Sequence, residues 1–268
     1  MSGPPVTIAT PPTVVATRYV EPFREGGSLP ALVEADDDGL YVVKFRGAGQ
    51  GPKALVAELV AGEIARLLGL PVPVIAFVEL DPALARAEPD PEIQDLLRAS
   101  AGLNLGLDFL PGSLAFDPAG EPAVDPALAA AVVWLDGLVT NIDRSPQNPN
   151  LLMWHGRPWL IDHGAAFYLH HRTWDMAPRA RDPFPAIAAD VMLPYASSIE
   201  EADARLAPSL TPDALAAILA LVPAAWLDAD GDDALAAERR GAYVDYLTRR
   251  LEAPRPFVAE AEAARRAL

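Results

Sequence analysis

The chain has 268 residues, a formal net charge of −16 and no cysteine. The length suits one two-lobed domain or two small ones with a substantial core. The absence of cysteine excludes disulfides, thiolate metal sites and a cysteine nucleophile. No apolar run reaches the roughly 18 to 20 residues that cross a bilayer, and the N-terminus lacks the layout of a signal peptide. We therefore expect a cytoplasmic protein without membrane insertion, and the acidic balance argues against general nucleic-acid binding.

Rare residue types cluster in this sequence. Of the 21 basic residues, 19 are Arg, and the two lysines are Lys44 and Lys53. Three of the four asparagines lie within ten residues, at positions 141, 148 and 150. A codon bias that replaces Lys by Arg is one explanation of the two remaining lysines. A role that needs a compact ammonium rather than a guanidinium fork is the other.

The first part of the chain is predicted to be rich in β-structure. Residues 1–12 are interpreted as a loose leader. Alternating apolar residues then predict several strands, the first three as an antiparallel meander, and helical spacing predicts one prominent helix that ends before Gly69. The predicted elements are strands at 13–20, 29–34, 40–45, 72–80 and 105–110, the prominent helix over about 56–68 and a short helix that begins at 90.

Helices are predicted to dominate beyond about residue 112. Asp125 and Pro126 open a helix that runs through Thr140. Strands at 151–154 and 158–161 are predicted to form a hairpin. Helices follow from residue 197, and Thr211 and Asp232 are each predicted to open one of them. We thus expect an α+β protein with three parts. These are a flexible leader (1–12), a β-rich N-terminal lobe with one main helix (13–112) and a mainly helical C-terminal lobe that holds the hairpin (113–268).

Polar residues flank the predicted hairpin on both sides. A hairpin with about four residues per arm extends roughly 13 Å and returns, so Asp143, Asn148 and Asp162 can converge at its open end. Two carboxylates and an amide oxygen are hard ligands that suit Mg²⁺ with a phosphate substrate. Asn150, which directly precedes the first strand, is a rival to Asn148. Alternatively, these residues only make turns.

A lysine and a glutamate in the first part could belong to the same site. Lys44 ends an otherwise apolar strand, and Glu58 is on the helix that follows. In phosphoryl transfer a strand lysine holds nucleotide phosphates and a helix glutamate holds the lysine. The segment 26–28, Gly-Gly-Ser, lies just before that strand and could expose backbone N–H groups to phosphates. The alternatives are a snorkelling lysine, an exposed helix glutamate and an ordinary turn.

In this order, these residues resemble the HipA-like kinases, which share the protein-kinase-like and phosphoinositide-kinase-like fold. The resemblance covers roughly residues 15–250. It rests on four segments: Tyr41 to Phe45, Glu58 to Pro73, Asn141 to Arg144, and Leu160 to Gly164.

The resemblance implies a bilobed kinase-like fold that transfers the γ-phosphate of ATP to a hydroxyl, with a protein Ser or Thr as the expected acceptor. It implies that Lys44, held by Glu58, contacts the α/β-phosphates and that Asp143 is the catalytic base. It also implies that Asn148 and Asp162 ligate Mg²⁺. Further nucleotide contacts are implied for the phosphate-covering loop at Gly26, Gly27 and Ser28 and for the adenine site along Asp108, Phe109 and Leu110.

Two departures from the family pattern leave other functions open. Ser145 stands where the family has His, and His163 replaces the usual aromatic or acidic residue. These departures motivate an alternative: a catalytically weak or inactive nucleotide-binding or interaction module of the same fold. A metal-dependent hydrolase that uses the two carboxylates is a third hypothesis, but it leaves the strand lysine and the helix glutamate without a role. We expect His163 to be buried beside the site rather than to bind a metal.

Overall fold

The computed structural model describes residues 8–23, 29–120 and 122–268. Five strands in its first part form a closed barrel with the order β1-β2-β3-β5-β4. The strands are β1 (Thr13–Pro22), β2 (Ala31–Ala35), β3 (Leu40–Lys44), β4 (Ile75–Leu80) and β5 (Gly102–Asp108).

Strand pairing in the barrel goes beyond the predicted meander. The antiparallel order of β1, β2 and β3 is confirmed. However, β3 pairs with β5 instead of β4, and β1 pairs in parallel with β4, which closes the barrel. Register shifts in β1 between Ala16 and Arg18 and between Tyr19 and Glu21 add the local twist that closure needs. Periodicity identifies a strand but does not identify its partner.

Residues 8–12, the described part of the predicted leader, contact the rest of the chain. Ile8 packs against the hydrophobic core. The carbonyl of Pro12 accepts a hydrogen bond from the amide of Phe77 at 2.8 Å. These contacts continue the pairing of β1 with β4 toward the N-terminus.

The prominent helix of the first part is α1 (Pro52–Leu67), and it is buried along most of its length. It ends as predicted, with Gly69 in the left-handed region at φ 75°, a conformation that favours glycine. A Cβ on Gly62 would stand 2.7 Å from Cδ1 of Ile75. The small residue therefore lets α1 approach β4 closely, which fixes the helix against the barrel.

The remaining strands form a three-stranded sheet with the order β6-β7-β8. β7 (Leu151–Trp154) and β8 (Arg157–Leu160) are the predicted hairpin. Positive φ at both turn residues, 48° at His155 and 76° at Gly156, is typical of a two-residue hairpin turn. The two-residue strand β6 (Leu114–Ala115) is too short for a sequence pattern to reveal.

A helix begins just after residue 125, and helices predominate from residue 199 onward, as predicted. The predicted N-caps are confirmed, because the side chains of Asp90, Asp125, Thr211 and Asp232 accept hydrogen bonds from the first turn of their helices. Within the described residues no helix is long and apolar enough to cross a membrane. The helices are α2 (Pro91–Ala99), α3 (Pro126–Val139), α4 (Ile199–Leu206), α5 (Pro212–Ala220), α6 (Ala224–Leu227), α7 (Asp233–Leu251) and α8 (Pro256–Arg266).

The hydrophobic core crosses the predicted boundary near residue 112. One cluster of buried residues joins Leu59 of α1 to Trp134 of α3 and Trp226 of α6. A smaller cluster fills the barrel. The indole N–H of Trp226 also donates to the carbonyl of Leu103 on β5 at 3.0 Å. The division into two lobes stays a prediction, since one hydrophobic cluster spans the predicted boundary.

Candidate active site

Lys44 lies at the end of β3 and contacts two carboxylates. Its Nζ is 2.7 Å from Oε2 of Glu58 on α1 and 2.5 Å from Oδ1 of Asp162, two residues after β8. Lys44 and Glu58 are buried, whereas the side chain of Asp162 is 41% exposed. The structure therefore brings together three predicted residues from three separate elements. A snorkelling lysine and an exposed helix glutamate are both excluded.

The charges of this group stabilise one another. Burial lowers the pKa of the Lys44 ammonium, but Glu58 and Asp162 more than compensate, and the pKa is raised. Burial raises the pKa of Glu58, but Lys44 and then His163 lower it by more, to about 2. The lysine is therefore protonated and Glu58 ionised at neutral pH, so this carboxylate only accepts hydrogen bonds.

The open end of the β7–β8 hairpin carries two residues in the left-handed backbone region. Asn150 has φ 50° and Asp162 has φ 53°, and the amide of Ile161 donates to the carbonyl of Asn150 at 3.1 Å. Such conformations cost on the order of 1–3 kcal/mol for a residue other than glycine and cluster at functional sites. Both residues thus lie at the open end of the hairpin in a strained backbone conformation.

Asp143 lies in the loop after α3 and is held by both asparagines. Nδ2 of Asn148 donates to Oδ2 of Asp143 at 2.8 Å. Nδ2 of Asn150 donates to the Asp143 carbonyl at 3.2 Å and to Oδ2 at 3.4 Å. Asn148 is exposed, whereas Asn150 is buried. Among the described residues, neither Oδ1 of Asp143 nor Oδ1 of Asn150 receives a hydrogen bond, so both oxygens are available to a ligand.

A buried polar network beneath this loop was not predicted. The fully buried Asp136 of α3 accepts from Nε of Arg144 at 2.6 Å and from Nδ2 of Asn141 at 2.9 Å. Nη1 of Arg144 donates to the carbonyl of Asn150 at 2.6 Å. Arg144 thereby ties α3 to the open end of the hairpin. A carboxylate within the apolar run of α3 was the available signal, because a buried charge needs a partner.

The stretch predicted to line the adenine site follows β5. The amide of Asp108 donates to the carbonyl of Val74, and the amide of Phe109 donates to the carbonyl of Leu40. In the described part of the chain, the Leu110 amide has no acceptor. Two of the three backbone amides in this stretch are therefore already bonded within the protein. The predicted phosphate-covering loop, Gly26 to Ser28, lies outside the described residues.

The second lysine, Lys53, belongs to a different group of contacts. Its Nζ donates to the carbonyl of His170 and lies 4.2 Å from the centre of the Trp174 ring. The Arg239 guanidinium lies 4.6 Å from the same ring. Burial and then Arg239 lower the pKa of Lys53. Lys53 and Arg239 thus both contact the Trp174 ring through cation–π interactions.

The sequence of the chain matches a known protein family. A family model described as HipA-like kinase matches residues 17–255. The chain belongs to the HipA-like kinase family. It is thus a kinase-like phosphotransferase by family, and the family implies use of ATP, typically with a divalent metal, and a hydroxyl acceptor. The family assignment made from the ordered lysine, glutamate and aspartate motifs is confirmed.

A solved structure with a similar fold is that of a kinase. The crystal structure of the Helicobacter pylori proinflammatory kinase CtkA matches with a TM-score of 0.54 and 14% identity, over 96% of this chain and all of that one. A Golgi casein kinase matches over 93% of this chain and 77% of its own, but with a TM-score of 0.35 and 13% identity it carries no argument. No curated protein matches the chain. The likeness to CtkA shows the fold alone, and it agrees with the predicted α+β class.

Proposed function

We propose that this HipA-like kinase transfers the γ-phosphate of ATP to a hydroxyl through Lys44, Asp143 and Asp162. The contact of Lys44 with both Glu58 and Asp162 carries the proposal. An ammonium has three N–H donors, and the two carboxylates use two of them. The third can bind a phosphate oxygen of the nucleotide. In a chain of net charge −16, such a fixed cation makes a polyanionic ligand tolerable.

The oxygen ligands at the hairpin end fit a magnesium ion. Asp162 is partly exposed, with one carboxylate oxygen turned to Lys44, and Asn150 offers an amide oxygen without a donor. These are hard oxygen ligands, and Mg²⁺ usually takes one or two from the protein and the rest from phosphates and water. When bound, the ion would neutralise charge on the transferred phosphoryl group. The sequence predicts Asn148 as this ligand, but we propose Asn150, because its buried side-chain oxygen receives no hydrogen bond among the described residues.

The available metal ligands also favour a kinase over a metal-dependent hydrolase. Among the described residues there is no group of three or more His, Asp or Glu that could hold a metal ion. A metal at this site would therefore depend on oxygens from a bound phosphate, as it does in kinases. A hydrolase based on two carboxylates would leave the buried Lys44–Glu58 pair unused.

We infer that Asp143 acts on the acceptor hydroxyl. The asparagine amides hold its carboxylate through Oδ2 and leave Oδ1 open to accept the hydroxyl proton. A positioned carboxylate that orients the nucleophile is the main protein contribution in such reactions, because little covalent help is needed. We propose a protein Ser or Thr as the acceptor, as the family resemblance implies.

Phosphate transfer from labelled ATP tests the proposal. We expect Asp143→Ala and Asp162→Ala each to lower transfer by at least about 100-fold, the scale of losing a catalytic group, when autophosphorylation is mapped by mass spectrometry. Asp213→Ala, an exposed residue of α5, is the matched control and should behave as the unmodified protein. Full turnover in Asp162→Ala would contradict the proposal. Thermal stabilisation by Mg²⁺–ATP without any transfer would favour the nucleotide-binding module instead.

A further inference from the structure

His163 directly follows the proposed metal ligand Asp162, and the proposed chemistry gives it no role. It is fully buried. Its Nδ1 lies 3.5 Å from Oε1 of Glu58, and its Nε2 is buried without a partner in the described structure. At Gly164, a Cβ would already be 3.8 Å from Ala54. The segment thus runs directly against α1, beside Glu58.

Packing alone does not explain an imidazole at this position. An unsatisfied buried polar group costs about 1–3 kcal/mol, and a phenyl ring would fill similar space without that cost. Because the ionised Glu58 can only accept, the contact requires a proton on Nδ1, while Nε2 has no partner in the described structure. The feature that separates His163 from an apolar aromatic residue is therefore its hydrogen bond to Glu58.

This hydrogen bond completes a closed set of contacts. Glu58 directs Oε2 to Lys44 and Oε1 to His163. Lys44 also binds Asp162, which is covalently joined to His163. With both oxygens engaged, the plane of the Glu58 carboxylate is fixed, whereas a carboxylate bound through one oxygen can rotate about its last torsion.

We propose that His163 is a positioning residue that fixes the Glu58 carboxylate and, through it, the Lys44 ammonium that meets the nucleotide phosphates. The consequence for ATP rests on the proposed function, but the effect on Lys44 does not. His163 itself touches neither the nucleotide nor the acceptor in this arrangement.

Three substitutions separate hydrogen bonding from packing. His163→Phe keeps a ring and removes the donor. The amide nitrogen of Asn lies near the position of Nδ1, so His163→Asn keeps the donor without the ring. Gln reaches instead toward the position of Nε2, so His163→Gln supplies a misplaced donor and is the matched control. Thermal unfolding of each variant identifies any general loss of folding.

The two lysines allow a direct readout without nucleotide. Selective ¹³Cε labelling of lysine gives two signals, from Lys44 and Lys53. We expect His163→Phe and His163→Gln to shift the Lys44 signal and leave the Lys53 signal in place, while His163→Asn restores the Lys44 signal toward its original position. An unchanged Lys44 signal in a folded His163→Phe protein would overturn the proposal.

Steady-state kinetics supply the second readout. We expect His163→Phe to raise the KM for ATP about tenfold, the scale of one charge-assisted hydrogen bond, and to change kcat by less than about threefold. Recovery of KM in His163→Asn, but not in His163→Gln, supports positioning, and equal KM in all variants contradicts it. If the unmodified protein does not bind ATP, the proposed function fails. In that case the Lys44 signal alone decides the role of His163.

Discussion

Two asparagines donate hydrogen bonds to Asp143, but they differ in burial and in their other contacts. Asn148 is exposed and donates to Oδ2 of Asp143 alone. Asn150 is buried, and its backbone carbonyl accepts hydrogen bonds from Arg144 and from the amide of Ile161. Its side-chain nitrogen donates to Asp143. Its side-chain oxygen is therefore fixed in place without a donor, as expected for a ligand held ready for a cation.

Alanine substitution at each asparagine distinguishes the two. We expect Asn150→Ala to raise the Mg²⁺ concentration needed for half-maximal phosphate transfer by about 10–100-fold, the usual cost of disturbing a metal ligand or its support. Asn148→Ala should raise it by less than about threefold, since its loss removes only one exposed hydrogen bond to Asp143. A Mg²⁺ titration of activity measures both. The reverse order would assign the metal to Asn148.

Three residues of the site could be predicted because each ends or follows an element with a clear pattern. Lys44 interrupts an apolar strand, Glu58 follows it on the next helix, and Asp162 closes a hairpin. Asp136 and Asp190 could not be predicted as partners of Arg144, because their pairing depends on the path of the chain through space. His163 was expected to be buried, but its contact with Glu58 depends on how α1 packs.

At the scale of elements, the loop after α3 depends on a cluster of buried charges. Arg144 forms an ion pair with Asp136, and Asp190 is near enough to influence both charges. The carbonyl of Arg144 accepts from the amide of Val191. Burial and then Asp136 raise the pKa of Asp190 well above its usual value, although Arg144 opposes the shift. Asp190 is therefore protonated more readily than an ordinary aspartate, because two ionised carboxylates close together repel each other and one guanidinium does not fully offset this repulsion.

We expect Asp190→Asn to change how the stability of the protein depends on pH. The pKa of Asp190 is higher in the folded state than its ordinary value of 3.8. The free energy of unfolding is therefore highest below pH 3.8 with respect to this group, and it falls as the pH rises through the folded-state pKa. A neutral amide does not titrate, so we expect the variant to lose less stability than the unmodified protein between pH 5 and 8. Urea unfolding across this range measures the difference. Parallel stability profiles would show that Asp190 is ionised throughout.

The elements themselves were predictable to different degrees. Helix starts followed from Asp or Thr caps, and the hairpin followed from two short apolar runs around a His-Gly turn. The pairing of β3 with β5 and the parallel pairing of β1 with β4 were not predictable, because strands that are remote in sequence pair according to the fold. The 3₁₀ turns between residues 168 and 195 likewise have no period long enough to recognise.

At the scale of the whole molecule, the shared core predicts cooperative unfolding. α1 contributes to the cluster that contains Trp134 and Trp226, so the barrel side and the helical side cannot separate without exposing apolar surface to water. We expect one transition in urea. All five tryptophans lie after residue 112 and report on the helical part, while the Lys44 ¹³Cε signal reports on β3. Coincident midpoints support a single unit.

Separated midpoints would instead indicate two domains that fold independently at a boundary near residue 112. In that case the contacts of α1 with the helical part would contribute little to stability. Substitution of Trp226 by Phe should then leave the Lys44 transition unchanged. In a cooperative molecule, the same substitution lowers both midpoints together, because it removes the hydrogen bond to Leu103 as well as buried area.

Closure of the barrel has a consequence for association with other chains. A sheet with two ends presents unpaired N–H and C=O groups on which a foreign strand can assemble. The parallel pairing of β1 with β4 joins the two ends of this sheet, so its described strands present no such edge. A partner that meets the barrel must therefore bind its side chains and loops, and strand addition to the barrel requires β1 to detach first.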